Sequence, residues 1–259
     1  MADFLERILD ARRSHVEASK ASMPPAEVER EAGLREHARD FRGALGADGI
    51  SLIAEFKRAS PSRGVLREDL DPVLQAEAYE RGGARALSVL TEPEFFHGSA
   101  NDLVAARGAT SLPALWKDFV IDPYQVVQAR SLDADAVLVI VRICTDDLLE
   151  ALLAECRRWG LCALVEVFDE TDLERALGAG ADVVGVNHRD LETFEEDPEA
   201  TARLRPKIPT GVLVVGESAI WTRADVEALE AIGVDAVLVG EALVRADDPA
   251  AKVRELLGR

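Results

Sequence analysis

One junction recurs along this chain and limits what it can fold into. Gly82-Gly-Ala-Arg85, Gly180-Ala-Asp182 and Gly233-Val-Asp235 each close a helical stretch and lead at once into an apolar run; Leu132-Asp-Ala-Asp135 is a variant. Glycine ends a helix in the left-handed conformation, and the next element begins immediately. Apolar runs stand at 52–56, 86–90, 112–115, 136–141, 162–167, 183–186, 212–215 and 236–239. They are near-continuous rather than alternating, so these strands are covered on both faces. Helical segments lie between them, for example at 71–81, 124–131, 145–159, 170–179 and 223–231. Strands alternating with helices predict a parallel α/β sheet. Eight such units in about 210 residues predict a closed (β/α)8 TIM barrel. A doubly wound open sheet is the alternative, but no Gly-x-Gly-x-x-Gly follows the first strand.

Residues 1–48 read as a helical amino-terminal extension. Phe4, Leu5, Ile8 and Leu9 form a short apolar stripe, Met23-Pro-Pro25 breaks it, and Phe41 with Leu45 marks a second short helix. No long linker or low-complexity tract follows, so residues 1–259 are expected to form a single domain, with the barrel at 49–259. The formal net charge of -18 argues against a nucleic-acid partner and requires any anionic ligand to be held by a local basic cluster. No apolar run is long enough to cross a membrane, and the first residues lack a signal-peptide pattern. Cys144, Cys156 and Cys162 are odd in number with no Cys-x-x-Cys spacing, which reads as reduced thiols of a cytoplasmic protein. His15, His37, His97 and His188 are scattered and suggest no metal site.

The chemistry gathers where strands end. In Ser51-Leu-Ile-Ala-Glu-Phe-Lys57 an apolar strand finishes in Glu55 and Lys57, which alternation places on one face. Ser60 follows. Later strands end in Lys117, Glu166, Asn187 with Arg189, and Glu217 with Ser218; the fourth offers Arg142. A single strand-end pair is usually solvated. A barrel, however, brings these ends into one ring, where acids and bases sharing a small volume suit acid–base catalysis. Gly216-Glu-Ser-Ala219 follows the seventh strand, and Val239-Gly-Glu-Ala242 follows the eighth and opens a short helix. Those loops form the usual barrel phosphate site, where backbone N–H groups need close approach and small residues permit it. The ligand expected is a small phosphate ester.

Those residues carry a resemblance. Ile53-Ala-Glu-Phe-Lys-Arg-Ala-Ser-Pro-Ser62, Leu87-Ser-Val-Leu-Thr-Glu-Pro93 with Phe96-His-Gly-Ser99, and Lys117-Asp-Phe-Val-Ile-Asp-Pro-Tyr124 resemble indole-3-glycerol phosphate synthases. So do Leu164-Val-Glu-Val167, Gly185-Val-Asn-His-Arg-Asp-Leu191 and Val239-Gly-Glu-Ala-Leu243, in order across all eight units. The resemblance implies ring closure of 1-(2-carboxyphenylamino)-1-deoxyribulose 5-phosphate with loss of carbon dioxide and water, in tryptophan biosynthesis, without cofactor or metal. It implies Lys117 as general acid and Lys57 as partner of the substrate carboxylate and acid in the dehydration. Glu55 and Glu166 would move protons and steady a cationic intermediate. Asn187 would position the anthranilate part and hydroxyls, Arg189 would support the lysine–carboxylate network, and Glu217 would orient its neighbours. Ser60, Ser218, Ala219, Gly240 and Glu241 would surround the phosphate, and Phe119 would pack on the aromatic ring.

The chain departs from the family pattern at four places. Trp116 replaces an arginine, and alternation turns it away from Lys117 towards the helices. Ala219 stands where glycine is usual, so its methyl is expected to restrict a positive φ or crowd the phosphate, with Gly216 returning backbone freedom. Phe168 replaces a common histidine, and His188 stands where asparagine or another polar residue is frequent. The rival readings are an aldose–ketose isomerase of similar fold, which would not need both lysines with three carboxylates, and a barrel that binds its ligand without turning it over.

Overall fold

The computed structural model describes residues 2–61 and 63–259; Ser62, the last residue of the first quoted motif, lies outside the described set. Eight strands close into a barrel: β1 Ser51–Phe56, β2 Ala86–Leu90, β3 Ala114–Lys117, β4 Ala136–Ile140, β5 Cys162–Val167, β6 Val183–Asn187, β7 Leu213–Glu217 and β8 Ala236–Val239. Every neighbouring pair is parallel, and β8 returns to pair with β1, as Ser51 with Ala236. A short hairpin of Ala59–Ser60 with Gly64–Val65 follows β1.

The recurring junctions explain the regularity. Gly83, Gly180 and Gly233 adopt φ of 98°, 83° and 81°, and in the variant Asp133 takes the glycine's place at φ 62°. Asparagine and aspartate tolerate this region best after glycine. The aspartates that follow act as stitches between strands. The carboxylate of Asp135 accepts from Ala114 N at 2.8 Å, Arg39 N at 2.7 Å and twice from Arg107 at 2.9 Å, and Asp235 accepts from Val214 N at 2.8 Å. Side-chain caps from Asp71, Ser99, Asp122, Thr145, Asp169, Thr222 and Asp248 start the helices.

Alternation divides the strand residues between two cores. Ile53, Leu115, Leu138, Leu164, Val183 and Val215 fill the barrel interior. Leu52, Ala54, Trp116, Val137, Val165 and Val214 pack outward against the helices. Trp116 thus faces away from Lys117, as alternation requires. Two strands sit further along the chain than the apolar runs suggest. β3 starts at Ala114 because Pro113 has no N–H for the ladder, and it continues to Lys117, which pairs with Leu90. β7 runs on to Glu217, which pairs with Asn187. Val141 belongs to a 3-10 turn, Val141–Ile143, and not to β4.

The extension contains three helices where the apolar stripe and Phe41 marked two. Ala2–Ser22 brings Leu5, Ile8 and Leu9 against the interior core. Pro25–Gly33 packs Val28 and Ala32 beside Tyr124 and Val127. Phe41–Leu45 sits under the amino-terminal end of the barrel, where the Ser51 hydroxyl donates to Leu45 O at 2.8 Å. Among the described residues no helix is long and apolar enough to cross a membrane.

Candidate active site

A cleft open to solvent, with about 1080 Å³ of empty space extending out into the solvent, lies at the carboxyl ends of the strands. Every residue singled out at the strand ends lines it, apart from Arg142. Leu138 and Ile140 make an apolar floor, and Phe4, Leu5 and Ile8 of the first helix make part of the wall. The helix therefore closes over the site. Phe4 sits edge-on between Phe95 and Phe194, with centroids at 5.4 and 5.3 Å, and so bridges the loops after β2 and β6. Arg12 reaches Asp118 at 3.1 Å, both side chains buried.

Two lysines and three glutamates gather beside that apolar floor. Lys117 Nζ donates to Glu217 Oε2 at 2.7 Å and Glu166 Oε2 at 3.1 Å. Lys57 Nζ lies 2.7 Å from Glu55 Oε1, and the Ser88 hydroxyl reaches the other oxygen of Glu55 at 3.5 Å. Burial opposes the Lys117 ammonium, but Glu217, Glu166 and Glu55 outweigh it and hold its pKa above the ordinary lysine value. Burial also opposes the Glu55 anion, yet Lys57 and Lys117 draw its carboxyl below the usual range. Glu217 is the exception. Burial pushes it up to about 8, Lys117 opposes, and the charges of Glu166 and Glu55 add to the rise. Its Oε1 is buried with no hydrogen-bond partner among the described residues, so nothing on that side steadies the anion. Lys117 keeps its proton whether or not Glu217 is ionised, because two other carboxylates remain beside it.

This arrangement fixes the sign of a pH effect. A carboxyl whose folded pKa is raised binds its proton more tightly in the folded chain, so its contribution is fully present below the unfolded value near 4.5 and is lost as pH rises towards 8. Glu217→Gln is expected to remove that loss, flattening the fall in stability between pH 5 and 8 by an amount on the order of a few kcal/mol. Urea unfolding of both proteins at the two pH values checks it; parallel pH profiles would show that Glu217 is not the group responsible for the fall.

Two glycines make room for these groups. A Cβ at Gly185 in β6 would stand 2.0 Å from Glu217 Oε1, and one at Gly240 would stand 2.4 Å from Glu55 Oε1 and 2.9 Å from Lys57 Nζ. Gly240 has φ -120°, so space and not conformation calls for glycine there. It caps the short helix Glu241–Val244. Glu241 lines the cavity, and its carboxylate accepts from Arg245 at 2.9 Å.

Beside them, after the neighbouring strand β7, Ser218 and Ala219 are successive left-handed residues, with φ of 67° and 54°. The expectation that Ala219 occupies a positive φ holds. The expected compensation by Gly216 does not: Gly216 is an ordinary residue of β7, where a Cβ would press on Leu229 at 2.9 Å, so its role is strand–helix packing. A β-carbon in the left-handed region costs about 1 kcal/mol. Ala219→Gly is therefore expected to raise the thermal midpoint by roughly 2–4 °C, read by calorimetry; a lowered midpoint would mean that the methyl packs usefully.

The remaining placements follow. Asn187 Oδ1 accepts from Arg189 N at 3.0 Å, and Arg189 pairs with Glu196 in its own loop at 2.5 Å. Phe119 packs at 6.1 Å against Phe96, which also lines the cavity. The Ser60 hydroxyl is buried without a partner among the described residues. Arg142 belongs elsewhere: it reaches Asp190 at 2.6 Å, Asp169 at 2.9 Å and Asp172 at 3.5 Å, and lies over the Phe168 ring at 4.4 Å. It ties loops together outside the cavity. Asp118 was not read from the strand ends, although it follows Lys117 directly. It is buried, its pKa is pushed up to about 6 chiefly by burial, and it accepts from Thr91 at 2.8 Å as well as pairing with Arg12. Among the described residues no group of three or more His, Cys, Asp or Glu side chains is disposed to hold a metal ion. The three cysteines are free, and burial raises each thiol above its ordinary pKa.

The family model described as indole-3-glycerol phosphate synthase matches residues 5–256. The chain belongs to the indole-3-glycerol phosphate synthase family. Members are decarboxylating lyases that catalyse a step of tryptophan biosynthesis, and this chain is one of them. It is 47% identical over 258 residues to indole-3-glycerol phosphate synthase 2 of Streptomyces coelicolor, covering all of both chains. It is 48% identical over 267 residues to the indole-3-glycerol phosphate synthase of a Roseiflexus species, covering 100% of this chain and 99% of the other. Among solved structures, 3-hexulose-6-phosphate synthase from Salmonella typhimurium superimposes with a TM-score of 0.66, covering 81% of this chain and 97% of that one at 14% identity. That likeness concerns the barrel alone.

Proposed function

We propose that the synthase reaction is divided among the cavity residues as follows. The substrate is 1-(2-carboxyphenylamino)-1-deoxyribulose 5-phosphate. The ring carbon that carries the carboxylate attacks the ketone carbon, and Lys117 donates its proton to the ketone oxygen as the bond forms. Positive charge develops at the anilino nitrogen, and Glu55 or Glu166 steadies it. Carbon dioxide leaves with the bonding pair returning to the ring, and aromaticity is restored. A carboxylate then removes a proton from the methylene carbon while Lys57 protonates the departing hydroxyl, so that water is lost and the indole completed. Lys57 also pairs with the substrate carboxylate, Asn187 orients the anthranilate part, Arg189 supports the lysine–carboxylate network, and Phe119 packs on the ring. Glu217 orients Lys117. Ser60, Ser218, Ala219, Gly240 and Glu241 surround the phosphate, largely through backbone N–H groups, and binding there supplies orientation at the reacting end. No cofactor or metal enters this sequence, and the enzyme works in the cytoplasm.

The observation that carries the reading is the Lys117 ammonium held between Glu166 and Glu217 in the cleft at the strand ends. Steady-state formation of the fluorescent indole product tests it. Wild-type protein should give saturable turnover, and Lys57→Met should both raise KM and lower kcat. Binding of the substrate without product would overturn the assignment in favour of a barrel that only binds.

A further inference from the structure

His188 takes no part in the chemistry above, does not line the cavity, and is nevertheless fixed at four points. Its backbone N donates to Glu217 O at 2.9 Å, and its O accepts from Asp197 N at 2.7 Å. Ring Nδ1 lies 3.1 Å from Ser218 O, and Nε2 lies 2.6 Å from Thr201 Oγ1. His188 is 4% exposed and Thr201 fully buried. A carbonyl only accepts, so Nδ1 carries the hydrogen and Nε2 accepts from the Thr201 hydroxyl. Burial holds the imidazole below its ordinary pKa, which suits this neutral tautomer.

The carbonyl that His188 holds belongs to the first of the two left-handed residues beside the cavity. Such a backbone persists only where its surroundings determine it. The Ser218–Ala219 peptide is trans, as no cis bond is present among the described residues, so the Ala219 N–H points opposite to the Ser218 carbonyl. The carbonyl is turned outward, to a histidine braced by helix Ala200–Leu204. The N–H is turned inward, to the cavity that both residues line, and no described residue accepts a hydrogen bond from it. We infer that His188 is a positioning residue: by holding the Ser218 carbonyl it presents the Ala219 N–H to the substrate phosphate. This rests on the phosphate reading of the loop proposed above. It also gives Ala219 a way to adopt the conformation that glycine would take without help.

The experiment compares wild type, His188→Leu and His188→Asn, with KM and kcat for the substrate and Ki for inorganic phosphate as a competitive inhibitor. His188→Leu should raise KM and Ki together by about tenfold, the effect of one charge-assisted hydrogen bond, with kcat within about threefold of wild type. His188→Asn places an amide N–H where Nδ1 stands and should return both constants to within about threefold of wild type. A general loss of packing would lower stability in both variants without separating KM from kcat. If inorganic phosphate competes equally well in wild type and His188→Leu, the phosphate reading stands and the role of His188 falls. Failure of His188→Asn to rescue a defective His188→Leu would also overturn it. If inorganic phosphate does not compete in wild type, the reading of the loop fails and the inference goes with it. Should His188→Leu not fold, His188→Phe, which fills the space of the ring without a donor, is expected to raise Ki with kcat within about threefold of wild type; an unchanged Ki there overturns the inference.

Discussion

Lys117→Ala is expected to lower kcat by roughly 10³-fold while KM changes by less than about tenfold. The loss corresponds to about 4 kcal/mol of transition-state stabilisation. It is placed on kcat because the ketone oxygen needs the proton only as the carbon–carbon bond forms. Before that moment the ammonium is already satisfied by Glu166 and Glu217 at 3.1 and 2.7 Å, so it has little binding energy left to give the ground state. Removing it has a second consequence. Glu55, Glu166 and Glu217 then share the cleft with Lys57 alone, and like charges at close range cannot all stay ionised in a buried site. Protonation relieves that repulsion, so the folded state loses stability as pH increases. The variant should therefore unfold more easily at pH 8 than at pH 6, which separates a chemical loss from a folding loss. Single-turnover formation of the indole at pH 6, where the fold is secure, is the measurement. A rate within tenfold of wild type there would remove Lys117 from the acid role.

The parts of this site that could be read in the sequence are those set by strand alternation. Glu55 and Lys57 share a face because they are two apart in a chain that is still extended as it leaves β1, and Trp116 faces outward because it is one before Lys117. The glycine and aspartate junctions were legible for the same kind of reason: a left-handed helix end is a local requirement, met by Gly83, Gly180 and Gly233 and, in the variant, by Asp133. Contacts between distant segments were not legible. Arg142 stands at a strand end like the others, but Asp169 and Asp172 at the start of the helix Glu170–Gly178 and Asp190 in the loop after β6 take up its charge. Arg12 reads as one more polar residue of a surface helix, yet it is buried against Asp118 and fixes that helix over the cavity. Gly240 reads as a phosphate-loop glycine. Its hydrogen is what leaves room for the Glu55–Lys57 pair on the neighbouring strand.

Gly185→Ala is expected to lower kcat by about 10²-fold with the barrel still folded. Gly185 looks like an ordinary residue of a Val-rich strand, and a methyl in β6 would normally favour the extended conformation. Here that methyl would stand 2.0 Å from Glu217 Oε1 and 3.2 Å from its carboxyl carbon. The strand cannot yield, because β6 is held in register on both sides by β5 and β7. The Glu217 carboxyl must move instead. It is the partner nearest Lys117, so the ammonium moves with it, away from the position where it meets the ketone oxygen. A shift of about 1 Å in an acid of this kind is enough for a loss of that size. The effect should depend wholly on Glu217. On a Glu217→Ala background the side chain that collides is gone, so adding Gly185→Ala should cost less than about threefold more, and the two changes should be strongly non-additive. Additive losses would show that the methyl acts through the barrel wall, at Leu164 for example, whose Cδ1 lies 3.3 Å from the same point. The double-mutant cycle in kcat distinguishes these outcomes, and with them whether Glu217 is the group that holds Lys117 in place.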